Sequence, residues 1–343
     1  MIWQRKAMNL SSRLQKTNKN LEKARRYFKY AALKITSKNH QKKKLNHLFD
    51  MCYTQASPCE KNDILKRVNY YNKLNHNFEI NKELLVHNVL NLKKTGSWFY
   101  HYDLTMQLAA FTDNLLFHYT PGDVQTIPCT PTFVKSRPIS QKNENSILLK
   151  LNTIRHFNFV DDPFDYATKK DQLVWRGACH QPHRRYFIEY FHAHPLCNVG
   201  DTNRDAELGK KPFMSIQEQL KYKFILSIEG NEVASNLKWI MASNSLCFMV
   251  KPKFETWFME GLLIPNVHYV ELKDDYSDLE DKINFYRKNE DAAARIIKNA
   301  NNYVKPFLNH QRELLISHLV LQKYFLMSKQ PHEPNYFNLV SSI

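Results

Sequence analysis

Between residues 171 and 304 the chain alternates short apolar runs with amphipathic ones. The runs "DQLVWRG", "LCNVG", "KFILSIE", "SLCFMV" and "VHYVEL" have the length and apolar content of buried strands. Between them "RRYFIEYFHAH", "SIQEQLKYK" and "ASNLKWIMASN" carry helical spacing. Ser215 and Glu218 stand at the separation of a capping box. "SDLEDKINFYRKNEDAAARIIKNANNYV" supplies two helices that break near Asn289. Strands so short and so apolar must be covered on both faces. Alternation with helices then predicts an α/β fold with a parallel, doubly wound sheet. The tail "RELLISHLVLQKYFLM" is a strongly apolar helix that must pack on something, and the first domain is the available surface.

Upstream the pattern is mixed. "KRVNYYNKLN" and "YDLTMQLAAF" read as helices, "NLLFHY" and "PTFVKSRPI" as short strands. Pro121, Gly122, Pro128, Pro131 and Pro138 keep the connections loop-like. "TQASPCEKND" (54–63) reads as a breaker cluster and linker. Before it, Leu14, Leu21, Ala24, Tyr27, Phe28 and Ala31 recur at helical spacing, so residues 8–50 read as one or two amphipathic helices.

Charge is unevenly spread. Residues 1–50 hold 14 Lys/Arg and 2 Asp/Glu, whereas the rest of the 343-residue chain holds 35 and 31. The basicity is thus local to the N-terminal segment. It fits nucleic acid, an anionic membrane surface or an anionic substrate, and equally a solvated helical face. Six cysteines show no CxxC pair and no zinc-finger spacing, which predicts reduced thiols in a cytosolic protein. No apolar run reaches the roughly 18 residues of a spanning helix, and the start lacks the pattern of a secretory signal.

The strand "KFILSIE" ends at Glu229-Gly230, and a helix is predicted from about Ala234. Ligands of open parallel sheets bind beyond the carboxyl ends of strands. Gly230 permits a tight turn and a close ligand approach. Asn231, Ser235 and Asn236 offer hydrogen bonds, and Lys238 offers positive charge, a set suited to a phosphate or diphosphate. An ordinary strand–helix turn capped by Asn or Ser accounts for the same residues. A second strand end, "VWRGACHQPHRR", places Arg176, Gly177, Arg184 and Arg185 at a carboxyl edge. The dinucleotide fingerprint GxGxxG is absent.

Taken with "GDVQTIPCTPTFVKSRPI", "NSILLKLNTIRHF", "KPKFETWFMEG" and "VLQKYF", these stretches resemble glycosyltransferase family 90 over about residues 64–326. The flavour is that of the bacterial lipopolysaccharide core enzymes, relatives of the protein O-glucosyltransferases. The resemblance implies a GT-B-like α/β architecture of two Rossmann-like domains facing a cleft. A basic helical N-terminal extension (1–60) would precede an acceptor-side domain (61–168 plus 306–343) and a nucleotide-sugar donor domain (169–305). It implies inverting transfer of a hexose from UDP-glucose or UDP-galactose to a lipopolysaccharide or lipooligosaccharide core acceptor, with a carboxylate base, no metal and no cofactor. The setting implied is cytoplasmic and peripheral on the inner face of the cytoplasmic membrane, with residues 1–50 on the anionic surface.

Residue by residue, the resemblance makes Asp123 the base, with Asp113 second. It makes Arg176, Arg184 and Lys238 the diphosphate cations. The relatives carry an arginine where Asn236 stands. Gly177, Glu229, Gly230, Asn231, Ser235 and Asn236 complete the donor site, and Glu255 would bond sugar or ribose hydroxyls. Lys135, Arg137, Arg155 and His156 fall on the acceptor side. For Arg137 and Arg155, an acceptor or diphosphate role and an ion pair with a carboxylate across the domain interface both stand open. Trp257 and Phe258 read as core. Two other classes compete: a basic nucleic-acid-binding protein and a protein O-glycosyltransferase.

Overall fold

The computed structural model of the chain describes residues 2–341, and of residues 2–16, 18 and 19 the backbone alone. Among the described residues the strands in chain order are β1 (His87–Asn88), β2 (Leu116–Tyr119), β3 (Thr132–Val134), β4 (Ser136–Pro138), β5 (Ser146–Leu148), β6 (Lys170–Gly177), β7 (Cys197–Asp201), β8 (Tyr222–Leu226), β9 (Leu246–Val250), β10 (Phe254–Thr256) and β11 (Val270–Leu272). The chain forms two compact units. One comprises Met1–Lys23, Arg155–Lys253 and Glu260–Pro306; the other comprises Ala24–Ile154, Phe254–Met259 and Phe307–Ile343.

In the first unit the sheet runs β7-β6-β8-β9-β11, and every pair is parallel. Numbered along the chain this is the order 2-1-3-4-5 of a doubly wound sheet. Helices Pro182–Phe191, Leu279–Lys288 and Glu290–Val304 cover it, breaking at Asn289 as expected. Their Phe187, Ile188, Ile283 and Ala293 join Leu173, Phe224, Leu226, Leu246 and Phe248 of the strands in one buried core. The capping box at Ser215–Glu218 is present. One element differs: the helix after β8 spans only Leu237–Met241, starting three residues later than expected. The cause is Asn236. Its Nδ2 donates to the Leu226 carbonyl (2.9 Å) and its Oδ1 accepts from the Ser227 hydroxyl (3.2 Å). A side chain tied back to the preceding strand holds residues 231–236 in turns.

In the second unit β1-β2-β3-β5 form one sheet, antiparallel at β1/β2 and parallel elsewhere, while β4 and β10 make an antiparallel pair. The apolar tail is the helix His310–Met327, buried along most of its length. It packs on helices Pro58–Tyr71 and Trp98–Leu108. Trp257 stacks on Tyr71 at 3.7 Å and Phe258 lies beside Phe307, so both are core. The expected linker at 54–63 is instead a helix start. Ser57 and Glu60 form a reciprocal capping box with Pro58 in the first turn. The basic segment folds as helices Ile2–Ile35 and Lys38–Phe49. All six cysteines are free, three of them buried.

Candidate active site

Chain connections leave β6 and β8 in opposite directions, so a crevice opens beyond their carboxyl ends. Arg184, from the first turn of helix Pro182–Phe191, reaches into it. Its Nε donates to Glu229 O (2.9 Å), Nη2 to Ile228 O (2.8 Å) and Nη1 to Ala178 O (3.1 Å). Three of its five donors are thereby used, and the other two meet no acceptor among the described residues. Gly230 stands against this guanidinium: a Cβ there would lie 3.3 Å from Nη2. Its φ is not positive, so glycine serves close approach rather than an unusual turn. The turn is closed by the Gly230 N–H donating to Glu232 O at 2.8 Å.

Arg155, exposed at the end of the short helix Thr153–His156, is the second cation. Its guanidinium has no hydrogen-bond or ion-pair partner among the described residues. Burial holds Arg184 below the usual arginine range, and repulsion from Arg155 adds to this. A guanidinium with two uncommitted donors at a strand-end crevice, with a second cation acting on it electrostatically, suits an anion. Around them His183 Nε2 bonds Glu229 O (2.8 Å) and Gln181 Nε2 donates to Asn231 Oδ1 (2.9 Å). Glu229 itself accepts the Lys253 N–H at 3.1 Å. Beside this crevice, a cavity of about 560 Å³ opens at the ends of β6 and β7, lined by Cys179, His180, Arg185, Asp201 and Arg204 among others. Burial, with Asp201 adding, pushes the Cys179 thiol up to about 12.

The other expected donor residues are placed differently. Arg176 stitches β6 to β7, donating to Asn198 O (2.6 Å), Asn198 Oδ1 (2.8 Å), Trp175 O (2.9 Å) and Pro212 O (3.3 Å). Lys238 is wholly buried in an ion pair with Glu260 at 2.5 Å. Gly177 lies under the Trp175 indole, where a Cβ would come within 2.5 Å of the ring. Ser235 is half-buried in the 231–236 turns, and His156 is buried. Glu255 sits in the second unit: Arg137 Nε donates to it at 2.7 Å, and the Tyr70 hydroxyl bonds its other oxygen. Arg137 is fully buried and also donates to Ser146 O and Tyr70 O. Arg137 takes an ion pair, but with a carboxylate of its own unit rather than one across a domain interface.

Asp123, also in the second unit, follows β2 on a loop turned by Gly122, whose φ of +99° favours glycine. Lys135 Nζ holds the carboxylate at 2.8 Å, with Asp123 34% exposed and Lys135 buried. Ser136 Oγ accepts the Val124 N–H (3.2 Å) and donates to Val124 O (3.3 Å), pinning the loop to β4. Tyr100 and Asn152 complete the cluster and escaped sequence reasoning. Burial raises the Tyr100 phenol, while hydrogen bonds to Lys135 and Asn152 oppose this. Asn152 has a φ of +52°, a conformation that no local sequence signal announces. His183 and Gln181 were also missed, though Pro182 between them marks the helix start that presents both. An oriented, solvent-accessible carboxylate can take a proton from a hydroxyl.

Comparison with known proteins adds a chemical identity. The model of glycosyl transferase family 90 matches residues 154–342. The chain is 48% identical over 266 residues to the O-glucosyltransferase LpsA of Dichelobacter nodosus, covering 76% of this chain and 82% of that protein. It is 27% identical over 167 residues to human protein O-glucosyltransferase 3, which is 46% of this chain and 32% of that protein.

Proposed function

Because the chain belongs to glycosyltransferase family 90, we propose that it transfers a hexose with inversion from UDP-glucose or UDP-galactose to a lipopolysaccharide or lipooligosaccharide core acceptor. The observation that carries the donor assignment is Arg184 beyond β6 and β8, with two donors uncommitted and a second cation, Arg155, within electrostatic reach. A diphosphate leaving group needs fixed positive charge as its bond to the sugar breaks. Arg184 keeps two donors for it and Arg155 its whole guanidinium. The reading needs neither a metal nor a cofactor, since the guanidinium groups take the developing charge. The adjacent cavity has room for the nucleoside.

In this reading Asp123 is the base. It removes the acceptor hydroxyl proton as that oxygen attacks the anomeric carbon from the face opposite UDP. The C–O bond to the diphosphate breaks, and UDP departs with the electron pair. Lys135 orients the carboxylate. The mechanism requires the GT-B-like arrangement, two Rossmann-like domains facing a cleft. The likeness to a bacterial LpsA over most of both chains favours a lipopolysaccharide-type acceptor over a protein. Family membership disfavours the nucleic-acid-binding alternative.

The basic residues 1–50 would hold the enzyme on the anionic inner face of the cytoplasmic membrane, at about 1 kcal/mol per Lys or Arg near the surface. The side chains of 2–16, 18 and 19 lie outside the described residues. No described helix is long and apolar enough to cross a membrane.

The test is hydrolysis and transfer with a panel of UDP-sugars. Asp123→Asn is expected to lower transfer roughly 10²- to 10⁴-fold while UDP still raises the melting temperature. A chain neither protected by UDP nor active on any UDP-sugar contradicts the proposal.

A further inference from the structure

Residues 24–35 of the helix Ile2–Ile35 pack one face on the second unit and leave an apolar stripe uncovered on the other. The inward face, in this stretch that belongs to the second unit, is held by aromatic and polar contacts, Tyr27 stacking on Trp98 at 4.0 Å. Arg26 pairs with Asp103 (3.1 Å) and bonds Thr153, while the Tyr30 hydroxyl bonds His101 (3.0 Å). The face opposite is apolar and open to solvent. Ala24, Phe28, Ala31, Ala32 and Ile35 recur at three- and four-residue intervals, and all are exposed, Phe28 by 77% and Ile35 by 88%. Leu21, 62% exposed, continues the stripe one heptad upstream. Arg25 and Lys29, both exposed, border it. A contiguous exposed stripe that includes a phenylalanine and an isoleucine marks a surface that something else covers.

We infer that this face lies in the headgroup layer of an anionic lipid bilayer, with Phe28 and Ile35 as its apolar anchors. Charge selects this occupant over a second copy of the chain. A heptad stripe also suits a coiled coil. Two such helices, however, would bring Arg25 and Lys29 against like charges, since residues 20–35 carry five Lys/Arg and one acid, Glu22. An anionic surface meets the same cations favourably and takes the apolar stripe between them. The inference deepens the membrane reading above. It makes attachment apolar as well as electrostatic, and confines it to one face.

The experiment is flotation of the full chain with vesicles of phosphatidylglycerol and phosphatidylethanolamine, and with phosphatidylcholine alone. Wild type is expected to float with the anionic vesicles and only weakly with the neutral ones. Phe28→Gln/Ile35→Gln is expected to bind the anionic vesicles at least tenfold more weakly. Arg25→Gln/Lys29→Gln is expected to weaken binding as well, and to make it less sensitive to salt. Both side-chain pairs are exposed, so UDP-sugar hydrolysis in the absence of lipid should match wild type. Loss of flotation with hydrolysis intact supports the inference. Absence of hydrolysis in every form would count against the proposed function and leave the flotation result standing. Equal flotation of wild type and Phe28→Gln/Ile35→Gln would overturn the inference. So would sedimentation velocity showing a wild-type dimer that the same substitutions dissociate.

Discussion

Arg155 and Arg184 act on each other electrostatically but differ in what else they hold, and that makes their roles separable. The Arg155 side chain has no described hydrogen-bond or ion-pair partner, so Arg155→Ala should leave stability within about 0.5 kcal/mol of wild type. It should weaken UDP binding roughly 10-fold or more through loss of a charge-assisted bond. Arg176→Ala should do the reverse, lowering the melting temperature while sparing UDP affinity, because its guanidinium is bonded to Asn198, Pro212 and Trp175. Thermal melts with and without UDP check both. Sequence shows that cations gather at these strand ends, but it cannot show which are already committed. Arg176 is taken up by oxygens 22 and 36 residues away, and Lys238 by a carboxylate 22 residues on. From sequence Arg155 falls on the acceptor side, with an acceptor or a diphosphate role both open. Only the fold brings it within electrostatic reach of Arg184.

At the scale of elements, the turn after β2 and the segment after β8 make different demands. Gly122→Ala would force a side chain into a φ of +99°, at about 1–3 kcal/mol, and displace the neighbouring Asp123. Transfer should therefore fall more than UDP binding, a difference that parallel kinetics and calorimetry resolve. Lys238→Met would remove the cation of a fully buried ion pair and lower stability, by up to about 3–5 kcal/mol in urea unfolding. The parallel sheet was readable because alternation of strand and helix periods survives in the residues themselves. The helix after β8 was not, because its late start depends on Asn236 turning back to a carbonyl ten residues earlier. The capping box at Ser57–Glu60 carries the same signature as that at Ser215–Glu218, yet proline and its polar neighbours disguised it as a linker. Three-residue strands such as β10 are too short to show a period, and pairing with β4 alone defines them.

Across the whole molecule, stability should respond to acid through the C-terminal helix. Burial draws His318 down to about 4, so the folded state holds it neutral while the unfolded chain protonates near 6.5. Its contribution is complete above pH 6.5 and is lost as pH falls toward 4, by about 3 kcal/mol. Asp103, pushed up to about 6 by burial, acts oppositely: its contribution is complete below about pH 4 and is lost as pH rises through 6. Urea midpoints of wild type and His318→Leu between pH 4 and 7 isolate the histidine, and the variant should lose the acid-side decline. That the tail must be buried was legible from its composition. That residues 254–259 join the same unit was not, since β10 meets a strand more than a hundred residues earlier. The central claim is that two guanidinium groups beyond β6 and β8 hold a nucleotide's paired phosphates. Calorimetric titration of UDP into wild type and Arg155→Ala tests it most directly. The expected result is a dissociation constant raised about tenfold or more in a variant whose unliganded melting temperature is unchanged; identical dissociation constants would contradict the claim.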